Sequence, residues 1–96
     1  MQVETILDDH REKILALAKQ FGATNVRVFG SAARGEADMN SDLDILVDMD
    51  PDRSLLDLAG FWIALEELLP CNVDVMTANG LRHQFQQQVL KEAIPL

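Results

Sequence analysis

Two short stretches, Leu43–Met49 and Asn72–Met76, alternate apolar residues with carboxylates. In the first, Leu43, Ile45 and Val47 alternate with Asp44, Leu46 and Asp48; in the second, Val73 and Val75 flank Asp74. A period of two is that of a β-strand, whose successive side chains point to opposite faces. Each strand therefore turns an apolar set one way and a carboxylate the other. The intervening chain is long enough for a full helix, the usual crossover between parallel strands. In such a pair Asp74, the third residue of its stretch, is expected close to Asp44 on the same face.

The remaining segments fit around that pair. From Val3 to Phe21 the apolar residues Ile6, Leu7, Ile14, Leu17, Ala18 and Phe21 recur at helical spacing, with Gly22 as the stop signal. Asn25–Phe29 is short and β-branched and predicts a strand ending at Gly30. About a dozen residues then lead to Leu43, which predicts antiparallel pairing of the first two strands. Ser31–Arg34 can form one helical turn with Ser31 as its cap, and 35–41 reads as loop. After Pro51, Ser54 and Asp57 make a capping box with Asp in place of the usual Glu. The helix they open is expected to reach about Leu69, with Leu55, Leu58, Phe61, Trp62, Leu65 and Leu69 inward, before Pro70. A last helix runs from roughly Leu81 to Glu92. The expectation is an α/β (α+β) fold in one domain over residues 1–96, with about three strands in a small mixed sheet flanked by about four helices.

Charge narrows the function classes. The net charge is −8, and between Glu36 and Asp74 eleven acidic residues face one basic residue, Arg53. Such a region repels a nucleic-acid backbone, so direct nucleic-acid binding is not expected. No apolar run approaches the ~18 residues of a membrane span. The single cysteine, Cys71, excludes an internal disulfide and a thiolate zinc cluster and fits a reducing cytoplasm. An acidic run is commonly a solvated face, and Asp48, Asp50 and Asp52 read that way, as His10 and His83 read as surface residues. Phe61 and Trp62 read as core and Cys71 as a small buried filler.

Spacing separates the other acids from that reading. Asp42 and Asp44 lie two apart at the head of a strand and share a face. Like charges so placed repel unless a cation sits between them. With Asp74 beside them, three carboxylates can hold two magnesium ions that keep positions for water or phosphate oxygens. Gly30-Ser31 ends the first strand near Asp42. The glycine lets backbone approach a ligand, the following turn aims N–H groups outward, and the Ser31 hydroxyl can reach a phosphate. Arg34 can add positive charge for a triphosphate or pair with Glu36 or Asp38. Phosphate donors beside metal-holding carboxylates are the parts nucleotidyl transfer needs.

These residues resemble a known family. Val28-Phe29-Gly30-Ser31-Ala32-Ala33-Arg34-Gly35, with Asp42-Leu43-Asp44 following ten residues after Ser31, is similar to the signature of the DNA-polymerase-β-type nucleotidyltransferases. The run Ser41–Val47 and the closing Ala93-Ile94-Pro95-Leu96 resemble the minimal nucleotidyltransferase branch. The resemblance implies metal ligation by Asp42, Asp44 and Asp74, triphosphate contact at Gly30 and Ser31, and ATP with Mg2+ as cofactors. It also implies a partner, since minimal members are commonly antitoxins of a helical HEPN ribonuclease toxin and some transfer AMP to a toxin tyrosine. The chain does not carry the helical extension with which larger relatives hold base and acceptor, so a partner is expected to complete the site. Two other readings stay open: an antitoxin that only masks its toxin, and a nucleotidyltransferase acting on a small molecule or an RNA end.

Overall fold

The computed structural model describes residues 3–30, 33, 42–80 and 83–96. Its elements, in chain order, are α1 (Val3–Phe21), β1 (Ala23–Phe29), β2 (Leu43–Met49), α2 (Leu55–Leu68), β3 (Val73–Thr77), a 3-10 turn (Ala78–Gly80), α3 (His83–Glu92) and β4 (Ile94–Pro95). The strands form one sheet in the order β3-β2-β1-β4. β1 runs antiparallel to both β2 and β4, and β2 runs parallel to β3. The mixed sheet and the directions of its first three strands agree with the sequence-based expectation.

Local signals account for the element bounds. Gly22 adopts φ +78°, the left-handed conformation that closes a helix without steric cost, and its carbonyl accepts from the Asp50 N–H at 2.9 Å. The capping box at α2 is complete: the Ser54 hydroxyl accepts from the Leu56 N–H at 3.2 Å, and the Asp57 carboxylate accepts from the Ser54 N–H at 3.0 Å. Three corrections follow. The sheet has a fourth strand, because the Leu96 N–H reaches the Val26 carbonyl at 3.0 Å and draws Ile94–Pro95 along the free edge of β1. A proline is tolerated there because an edge strand leaves one row of its backbone groups unpaired. β1 begins at Ala23 rather than Asn25; Asn25 takes φ +52° and the register with β2 shifts between Thr24 and Arg27. That bulge let the strand continue through a residue that reads as its start. Leu55, placed inward from sequence, is 82 % exposed, because α2 turns its Phe61 and Leu65 face to the core. The helical turn expected at Ser31–Arg34 and the first residues of the last helix lie outside the described residues.

The sheet separates two cores of unequal size. On one face Val26, Val28, Leu43, Ile45, Val47, Val73 and Val75 are buried against Leu7, Ile14 and Ala18 of α1, Phe61 and Leu65 of α2, and Leu69 just after it. The rings of Phe21 and Phe61 lie 6.5 Å apart and tilted by 46° across the α1–α2 contact. On the other face the buried apolar residues among those described are Phe29, Leu46 and Ala78, with Val89 and Ala93 packed against them. This second face carries the acids.

Candidate active site

The parallel register sets Asp44 directly beside Asp74, with Leu43 beside Val73 and Ile45 beside Val75. Paired residues of neighbouring strands point the same way, so the two carboxylates share the face opposite the large core. Both are half-buried. Asp42 lies just before β2 and is exposed; the adjacent Leu43 N–H donates to the Asn72 carbonyl at 2.8 Å, which ties the head of β2 to the approach to β3. The Asp42 carboxylate also bears on Cys71. Burial first, and Asp42 second, push the half-buried Cys71 thiol above its ordinary pKa.

Gly30 completes the arrangement. Across the β1–β2 ladder Phe29 pairs with Asp44, so the next residue of β1 passes over the Asp44 side chain. Gly30 has φ +68°, and a Cβ added there would stand 2.6 Å from Asp44 Oδ2. No other residue fits without moving that carboxylate. Gly30, Asp44 and Asp74 thus stand together at one end of the sheet, where β1 finishes and β2 and β3 begin, with Asp42 one residue before β2. Among the described residues, which include Asp42, Asp44 and Asp74, no three acidic, histidine or cysteine side chains stand close enough together to hold a metal ion. Ser31 and Arg34 lie outside the described residues.

Arg27 was not singled out from sequence. It is only 8 % exposed and shares the carboxylate face; its Nη2 donates to Asp48 Oδ1 at 3.1 Å and its Nε to the Asn25 carbonyl at 2.9 Å. Asn25 Nδ2 bonds the other Asp48 oxygen at 3.1 Å. Asp48 is therefore neutralised by a fixed partner rather than left as part of a solvated turn, and its pairing holds the bulged end of β1. The signal was present in the sequence as a lone arginine set between Val26 and Val28.

A mixed sheet with α1 and α2 on one face and paired strand-head carboxylates under a glycine turn on the other defines a small nucleotidyltransferase. Comparison with known proteins supports this class. The pattern of the nucleotidyltransferase domain family matches residues 8–96, and the chain belongs to that family. A protein of Thermococcus cleftensis named protein adenylyltransferase MntA is 38 % identical over 93 residues, covering 97 % of this chain and 91 % of its own length. A Methanocaldococcus jannaschii protein provisionally named a protein adenylyltransferase is 36 % identical, covering 92 % of this chain and 95 % of its own length. A solved structure provisionally named a minimal nucleotidyltransferase superposes with a TM-score of 0.89 at 51 % identity, covering 100 % of this chain and 97 % of that one. A toxin–antitoxin crystal structure with AMP-PNP shares the fold, with a TM-score of 0.74 at 23 % identity over 88 % of this chain and 69 % of that one. Among the described residues no helix is long and apolar enough to cross a membrane.

Proposed function

We propose that this chain transfers AMP from ATP to a hydroxyl, a tyrosine's, on a partner HEPN-type ribonuclease toxin and so acts as its antitoxin. The observation that carries the reading is the side-by-side register of Asp44 and Asp74 beneath Gly30. The names of the relatives support the adenylyl group and a protein acceptor, and the toxin–antitoxin neighbour supports the kind of partner.

The donor chemistry suits magnesium, although the three carboxylates would have to draw together around it. The donor set is all carboxylate oxygen, the ligand type hard divalent cations take, and the space a Cβ at Gly30 would fill lies directly against Asp44 Oδ2. Asp42, Asp44 and Asp74 are the residues that would hold the metal. Bound there, the metal supplies charge stabilisation for the transferring phosphoryl group and the attacking oxygen. The protein's own part is positioning. Gly30 brings backbone close to the triphosphate, and Ser31 and Arg34, next in the chain, would add donors to its oxygens. The acceptor oxygen forms its bond to the α-phosphorus, the bond to the leaving pyrophosphate breaks, and the hydroxyl proton is released.

The test is the intact mass of the candidate toxin after incubation with this protein, ATP and magnesium. A gain of whole AMP units is expected, and Asp44→Asn should reduce it by at least about 100-fold. Suppression of toxicity with no mass gain, unchanged by Asp44→Asn, would overturn the catalytic reading in favour of masking.

A further inference from the structure

α2 is apolar on both sides. Its inner face supplies Phe61, Leu65 and, at its end, Leu69 to the core, yet its outer face carries Leu55 at 82 %, Leu56 at 83 % and Ile63 at 59 % exposure. A helix apolar all round is normally covered on all sides. Leu56, Ala59 and Ile63 follow one another at helical spacing and form a continuous outer stripe. At its C-terminal end a hollow of about 220 Å³ opens between Ala59, Trp62, Ile63 and Glu66. Its polar feature is held in place: Trp62 Nε1 donates to Glu66 Oε1 at 2.9 Å and to the Val73 carbonyl.

We infer that the outer face of α2 is the docking surface for a basic protein partner, with an arginine or lysine side chain of that partner seated in the Trp62–Glu66 hollow. The inference rests on the function proposed above, whose acceptor protein is the occupant. Charge complementarity selects it. The hollow presents an aromatic wall and apolar floor for a long aliphatic stem and ends in a carboxylate for its cationic head. Glu67 on the same outer face and the net charge of −8 add to the attraction of a basic surface and oppose self-association. Position agrees as well. The Val73 carbonyl bonded by Trp62 immediately precedes Asp74, and β3 is the edge of the sheet, so a protein on α2 lies around one strand from the carboxylates.

The experiment measures binding of the purified candidate toxin to the full chain and to Ile63→Asp and Glu66→Lys, alongside AMP transfer and sedimentation of each chain alone. Both side chains are exposed, so both variants should keep the parent melting temperature. The expected result is at least tenfold weaker binding in each, a raised KM for the acceptor with kcat retained, and steeper salt sensitivity in the parent than in Glu66→Lys. Asp44→Asn, by contrast, should bind normally and fail to transfer. Unchanged binding by both α2 variants overturns the docking surface and leaves the catalytic reading intact. Binding that depends on Ile63 and Glu66 without any transfer sustains the surface and overturns the activity. A parent chain that sediments as a dimer and becomes a monomer on Ile63→Asp assigns the face to a second copy and overturns the proposal, as does a toxin that does not bind.

Discussion

The two faces of the sheet are built by opposite rules. Beneath α1 and α2 the buried strand positions are aliphatic, and Leu43, Ile45, Val47, Phe61 and Leu65 have no exposure at all. On the other face the same strands carry Arg27, Asp44, Asp48 and Asp74, and the buried apolar residues described between the charges are Phe29, Leu46 and Ala78. Alternation makes this possible, since each residue's neighbour in sequence serves the other face. The large core stabilises the sheet whose other face sets Asp44 and Asp74 side by side. Stability and chemistry are thus divided by a thickness of one strand.

The contrast can be broken most severely from the core side. Phe61→Ala should cost about 3–5 kcal/mol, because the ring is fully enclosed and its loss leaves a cavity between α1 and α2; chemical denaturation would show it as a lower midpoint at unchanged slope. Leu46→Ala tests the thin core in the same assay. Leu46 is equally buried, but the apolar cluster described around it is the smaller one, so a loss near the low end of the usual range, about 2 kcal/mol, is expected. A cost as large as that of Phe61→Ala would show that the carboxylate face is as tightly packed as the other.

Gly30→Ala inverts the relation. A side chain at φ +68° with its Cβ 2.6 Å from Asp44 Oδ2 should destabilise by about 1–3 kcal/mol, yet abolish AMP transfer by displacing the carboxylate. A fully active alanine variant would mean that Asp44 need not stay where the structure puts it. The smallest effect concerns Cys71. The thiolate is the reactive form, and burial and Asp42 raise the thiol pKa, so alkylation at about pH 8 should be slower in the folded chain than in an unfolded one. Because Asp42 is the lesser cause, Asp42→Asn should speed that reaction by less than about tenfold.

Much of this was legible in the chain because the signals are local. Val3–Phe21 forms the expected helix over that full span, because its stripe and the Gly22 stop need no help from elsewhere. Ser54 and Asp57 open α2 for the same reason. The neighbouring positions of Asp44 and Asp74 followed from two alternating stretches and a crossover, since parallel register leaves little freedom once both apolar faces must meet one core. Gly30 reads in sequence as a residue that lets backbone approach a ligand; what the fold adds is its close approach to Asp44.

What only the tertiary structure decided has a common cause: it depends on contacts between residues far apart in the chain. A two-residue strand such as Ile94–Pro95 has no periodicity to read and exists because β1 has a free edge for it. Asp48 looked like its acidic neighbours until the fold brought Arg27 and Asn25 to it from across the ladder. Leu55 and Leu56 share the composition of the buried leucines of α2, and only the rotation of that helix against α1 and β3 determined which of them meet the core. Sequence patterning specified which face of each strand is apolar; the choice among equally apolar helix faces, and the partners of individual charges, awaited the packing that brings distant segments together.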